Sequence, residues 1–174
     1  MRGMLFDVTT SAWRDATVLA GFRKELEEAS EPWLIVAIHR PCFSVYRTED
    51  AALRDELWPI LHEYGVDLVI SGDDHHYARF RQTDADSTSP IQLIAGGGGK
   101  KLYAFNEQDP RLVPGKSKSV WSFLSFEAKG LQLHCRAMSS AEAVLDAWTL
   151  DRRQGKLAAG IRQGRRERIL RLRR

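Results

Sequence analysis

The chain has no run of about 18 apolar residues, and that excludes a membrane-spanning helix. Its first residues, Met1-Arg-Gly-Met-Leu-Phe-Asp7, lack the apolar core of a secretory signal. Only two cysteines, Cys42 and Cys135, occur in 174 residues. Two thiols do not make a disulfide framework, so both are expected to be reduced. No segment repeats. With neither a signal nor a span, the default expectation is a cytoplasmic protein. What is present fits one globular domain: 43% apolar residues can fill a core, and 28% charged residues can solvate its surface.

The net charge of +3 conceals an asymmetry. Residues 1–150 carry 16 Lys and Arg against 21 Asp and Glu, and residues 151–174 carry 10 against 2. The body is therefore acidic and the tail strongly basic. A boundary is expected between a folded body, 1–150, and an extension, 151–174.

Hydrophobic spacing predicts the elements of the body. After Thr9-Thr10-Ser11, a helix is expected to about Glu28, with Trp13, Val18, Leu19, Phe22 and Leu26 on one face. Ser30-Glu31-Pro32 ends it. Trp33–Ile38 is a continuous apolar run of strand length, as in a strand covered on both faces. Thr48 is expected to cap a second helix carrying Leu53, Leu57, Ile60, Leu61 and Tyr64, with Gly65 as its stop. Val66–Ile70 is a second buried strand, and Asp67 within it needs a place at a strand mouth. Strand, helix and strand imply parallel pairing with a right-handed crossover. Ile91–Ala95 is a third strand, running into Gly96–Gly99. Residues 100–119 read as an irregular excursion, and three strands follow over 120–127, 131–137 and 143–150. The fold expected is a layered α/β sandwich of mixed sheets flanked by helices.

In such sheets, ligands bind beyond the carboxyl ends of the strands. The first two apolar strands end in polar clusters, His39-Arg40-Pro41 and Gly72-Asp-Asp-His-His76. Parallel pairing puts both ends on one edge, so His39, Asp73 and His75 can converge. Imidazole and carboxylate at a strand mouth suit zinc, iron or manganese. Each residue also has a structural reading. A single His at a strand end is commonly just hydrogen-bonded, and Asp73 and Asp74 are ordinary turn residues. His62, on the second helix, and His134, on a late strand, take the structural reading.

Three segments together resemble the calcineurin-like metallophosphoesterases, including their purple-acid-phosphatase-like branch. They are Trp33-Leu-Ile-Val-Ala-Ile-His39-Arg-Pro41, Val66-Asp-Leu-Val-Ile-Ser-Gly72-Asp-Asp-His75-His-Tyr77-Ala-Arg79 and Ile91-Gln-Leu-Ile-Ala-Gly-Gly-Gly-Gly99. They are similar in order and spacing to that family's strand ending in His and Pro, its Gly-His-x-His segment with Tyr-x-Arg, and its strand running into glycines. The resemblance covers roughly residues 5–150.

The resemblance implies a dinuclear phosphoester hydrolase that uses divalent or trivalent iron, zinc or manganese. It implies His39 as a ligand of one metal and His75 as a ligand of the other, with Asp73 at a further ligand position. Gly72, Asp74, His76, Tyr77 and Arg79 would form the supporting loop, with Asp74 and His76 on non-ligand positions. Gly96, Gly97, Gly98 and Gly99 would let backbone pass close to the site.

Two departures stand out. Asp occupies position 73 where the family has His, which shortens the reach and adds a negative charge. The family's Asp-x-His, Gly-Asp-x-x-Asp and Gly-Asn-His landmarks, including its leaving-group His, have no match in Met1–Glu31. The expectation is therefore the C-terminal half of the family domain, weak or inactive alone, with another chain as a candidate source of the rest. Leu34, Val36 and Val69 are expected to lack packing partners. The alternative is a non-catalytic remnant or scaffold. The tail, with nine arginines and no aromatic residue after Trp148, could meet an anionic surface or nucleic acid. The alternative for it is a solvated extension.

Overall fold

The structure, a computed structural model, describes residues 1–47, 49–80 and 89–151. The basic extension and the Thr48 cap lie outside these residues.

The described chain opens on a strand, β1 (Arg2–Phe6), and a short 3-10 turn at Ser11–Arg14. Helix α1 follows at Ala16–Glu28. Asp15 caps it, its carboxylate accepting from the amides of Thr17 (2.8 Å) and Val18 (3.3 Å). The expected single helix from Thr9 is thus split, because Asp15 offers the backbone a new start. Strand β2 is Leu34–Ile38. The second helix begins with a π-helical stretch at Leu53–Leu57 and continues as α2, Trp58–Glu63. Then come β3 (Leu68–Ser71), β4 (Tyr77–Phe80), β5 (Ile91–Ala95) and β6 (Leu112–Lys118). A meander of β7 (Ser122–Lys129), β8 (Gln132–Ser139) and β9 (Val144–Asp151) completes it.

Strands β1 to β6 form one mixed sheet in the order β1-β2-β3-β5-β4-β6. β1, β2, β3 and β5 run parallel, and β4 is antiparallel to both β5 and β6. Strands β7 to β9 form a second, antiparallel sheet. Leu34, Val36 and Val69 of the first sheet share a core with Phe22 and Leu26 of α1 and with Ile60 and Leu61 of α2. The other face of that sheet, with Ile35, Leu68 and Leu93, packs on Leu133 and Cys135 of the second sheet. Trp33 links these layers, its indole N–H donating to the Gly130 carbonyl (3.1 Å). The architecture is helices on sheet on sheet.

Several expectations need correction. Leu34, Val36 and Val69 do not lack partners: the helices bury each of them completely. Among the described residues the most exposed large apolar side chain is Leu5 on the edge strand β1, 85% exposed. Residues 100–119 are not wholly irregular, since β6 lies within them. Asp67 sits at the amino end of β3, away from the strand mouths, where its carboxylate accepts the Leu34 amide (2.8 Å).

Candidate functional site

The parallel strands place four chain segments on one edge: Asp7 after β1, His39 after β2, Gly72 after β3 and Gly96 after β5. The Gly72 amide donates to the His39 carbonyl (3.0 Å), which joins the first two polar clusters through backbone. Asp73 adopts a left-handed conformation with φ of 61°, which Asp tolerates better than most residues. The amide of Asp74 donates to the carbonyl of Gly72 (2.7 Å), and that of His76 to Asp74 (2.8 Å). These two narrow turns fold the segment tightly and point successive side chains in different directions.

His39 is 56% exposed along its side chain, and its Nε2 lies 3.8 Å from Asp73 Oδ1. Asp7 faces the same imidazole, and the Thr9 hydroxyl and amide hold its carboxyl below the usual aspartate range. The His75 ring places Nδ1 2.7 Å from the Lys101 carbonyl. A carbonyl can only accept, so Nδ1 carries a proton in this contact. The ring stacks on Tyr103 (4.2 Å between centroids), and Tyr103 stacks on Tyr46 (4.4 Å).

Asp74 and His76 point inward, and both are fully buried. Asp74 accepts from the Ser44 hydroxyl (2.6 Å) and from Arg47 Nε (2.9 Å). Burial still holds its carboxyl above the ordinary range, against the pull of those two donors. His76 stacks on Phe105 (4.2 Å), and neither ring nitrogen has a hydrogen-bond partner. Burial, with a smaller contribution from His75, pushes its imidazole down to about 4 and keeps it neutral.

Tyr77 and Arg79 bind a residue that sequence reasoning did not single out. The Tyr77 hydroxyl donates to Asp146 Oδ2 (2.9 Å). Arg79 reaches the same carboxylate through Nε (2.6 Å) and Nη2 (3.2 Å), and its guanidinium lies 4.6 Å over the Trp148 ring. Asp146 is buried on β9, so the second sheet grips the strand that leaves the His75 loop. The signal was a carboxylate at an inward position of an apolar alternation, Val144-Leu-Asp-Ala-Trp-Thr-Leu150.

Of the four glycines, two make close approaches. A Cβ on Gly96 would stand 2.1 Å from the Asp74 carbonyl oxygen, and one on Gly97 would stand 2.5 Å from that of Val120. Gly96 also donates its amide to the His76 carbonyl (3.2 Å). Gly98 and Gly99 face open space. His62 lies in α2, and His134 meets the Thr149 hydroxyl (3.0 Å) on the second sheet.

The donors brought together do not fit a two-metal centre. His39 and Asp73 approach one another, but among the described residues no group of three His, Cys, Asp or Glu side chains is arranged to hold a metal ion. The second oxygen of Asp73 is already paired with the Arg47 guanidinium (3.2 Å).

Comparison with known proteins agrees with this architecture. No family model matches the chain. Purple acid phosphatase 17 of Arabidopsis thaliana is 34% identical over 87 residues, which are 49% of this chain and 25% of that protein. Purple acid phosphatase 23 of the same plant is 28% identical over 115 residues, 62% of this chain and 24% of the relative. Among solved structures, the purple acid phosphatase PPD1 of yellow lupin superposes with a TM-score of 0.76 at 21% identity, covering 84% of this chain and 30% of its own. GAP50, described as the anchor in the inner membrane complex of Plasmodium, superposes with a TM-score of 0.67 at 16% identity. It covers 95% of this chain and 54% of its own. The chain has the calcineurin-like phosphoesterase fold, and its sequence is similar to purple acid phosphatases over about half of its length. Within that class its relatives are purple acid phosphatases, of which it spans about a quarter of the length or less.

Proposed function

We propose that this chain carries one side of a metallophosphoesterase site and, on its own residues, turns over phosphoesters far more slowly than a family member bearing the full ligand set. The observation that carries this reading is the juxtaposition of His39 and Asp73 at 3.8 Å on the carboxyl edge, with no metal-holding group of three donors among the described residues. In this reading His39, Asp73 and His75 are the metal-facing side chains. Asp74, Tyr77 and Arg79 fix the loop, and a second polypeptide segment is the candidate source of the remaining ligands. Two-metal hydrolysis needs ions roughly 3.5–4 Å apart, clamping both the attacking and the leaving oxygens. His39 and Asp73 form one donor pair, and one pair cannot supply both sites.

The test is turnover of a chromogenic phosphomonoester and a phosphodiester with added manganese or zinc, for the wild type, His39→Ala and His75→Ala. The expected result is slow hydrolysis at best, with metal uptake near one equivalent or less. Robust turnover abolished by either substitution would refute it.

A second reading, a non-catalytic member of the fold, is favoured by one specific observation: Arg47 already pairs with Asp73. GAP50, which shares the fold and is described as an anchor, is in keeping with this reading. Zero metal uptake together with zero turnover would favour it.

A further inference from the structure

The guanidinium of Arg47 contacts the loop at three places. Nη1 lies 3.2 Å from Asp73 Oδ2, Nη2 donates to the Asp73 carbonyl (3.2 Å), and Nε donates to Asp74 Oδ1 (2.9 Å). These contacts engage both the side chains and the backbone of the tight turn. We propose that Arg47 is the built-in cation of this strand mouth and occupies the Asp73 carboxylate in place of a metal ion, so that the residues present do not fit a metal while it is there.

Arg47 is held where it acts. Its amide donates to the Ser44 hydroxyl oxygen (3.0 Å), and that hydroxyl in turn donates to Asp74 (2.6 Å). Its guanidinium stands 5.3 Å from the centre of the Tyr46 ring. Tyr46, Tyr103 and His75 then form a continuous stack. One chain of contacts thus runs from Asp73 through Arg47 and the two tyrosines back to His75, two residues further along the same loop.

Charge explains why a cation belongs there. Asp73 and Asp74 are adjacent carboxylates, and Asp74 has no exposure to water. Two such groups side by side need a counter-charge, and a planar fork meets both at once where a lysine could not. With Asp rather than His at position 73, the site has an anion that its own Arg neutralises. Asp73 Oδ1 remains turned toward His39, and one imidazole with one carboxylate oxygen is too few donors to hold a metal against the guanidinium.

The inference rests on reading His39 and Asp73 as a donor pair, and its test needs no turnover. Zn²⁺ alone is titrated calorimetrically into the wild type, Arg47→Gln and Arg47→Lys. The glutamine keeps reach and a donor for Asp74 but removes the charge. Arg47→Gln is expected to bind zinc about tenfold more tightly, because a positive charge close to the ion is gone. Arg47→Lys is expected to stay near the wild type. Adding Asp73→Asn to Arg47→Gln should cancel the gain. The double variant Arg47→Gln/Asp74→Asn relieves the buried carboxylate, guards against unfolding, and carries the same expected gain. Zinc affinity unchanged or weakened in both folded glutamine variants overturns the proposal. So does a gain that survives Asp73→Asn. Robust wild-type phosphoester turnover would instead refute slow hydrolysis and leave the zinc comparison standing.

Discussion

Gly96→Ala probes the point where two backbones nearly touch. The added Cβ would lie 2.1 Å from the Asp74 carbonyl oxygen, where ordinary contact begins at 3.4 Å. The two segments must separate by more than 1 Å, and neither is free to move. The Asp74 side chain is held by Ser44 and Arg47, and the Gly96 amide is bonded to the His76 carbonyl. Overpacking of this kind costs about 1–3 kcal/mol. Losing the amide bond adds about 1 kcal/mol. The expected destabilisation is therefore about 2–4 kcal/mol. Gly98→Ala is the control: it has open space and no positive φ, so it should be neutral or stabilise by up to about 1 kcal/mol. Urea unfolding of the three proteins measures both. A Gly96→Ala midpoint equal to that of the wild type, or an equal loss from Gly98→Ala, would refute the close approach.

Asp146→Ala removes the acceptor shared by Tyr77 and Arg79 and leaves a largely buried guanidinium unpaired, so a loss of about 3–5 kcal/mol is expected in the same assay. An effect under about 1 kcal/mol would show that the second sheet does not hold the loop strand. Alkaline pH tests Cys135, whose thiol is pushed up to about 12, mainly by burial. In the unfolded chain the thiol ionises near 9, so its contribution is complete below that pH and is lost as pH rises toward 12. Between pH 9 and 10, stability should fall by up to about 1.4 kcal/mol per pH unit from this group, and Cys135→Ala should remove that component of the slope. Identical slopes in the two proteins would contradict its burial as a thiol.

The legible parts of this fold were those with local signals. β2 and β3 are apolar strands whose polar endings marked the edge of the candidate site, and β5 runs into glycines. β1 was not legible because Arg-Gly-Met-Leu-Phe is short and shows neither polar–apolar alternation nor a full apolar run; only its burial alternates. β6 was missed because Pro114 and Gly115 read as loop. A sheet-edge strand tolerates both, and β6 is an edge. Asp146 and Arg47 were not legible because their partners are distant in sequence: 69 residues separate Tyr77 from Asp146, and 27 separate Arg47 from Asp74. Spacing arguments see neighbours along one element, whereas these contacts exist only once layers and loops have closed.

The grip of Asp146 on Tyr77 and Arg79 also bears on the order in which the molecule assembles. β9 is the last strand of the described chain, and the loop it steadies is encoded far earlier. During synthesis, residues 72–79 emerge well before their carboxylate partner exists. Closing so long a loop precedes any reward from the contact. The strand mouth therefore takes its final shape late, after the C-terminal meander has docked. Any change that delays or weakens that docking is felt at His75, two residues before the Tyr77 that Asp146 holds.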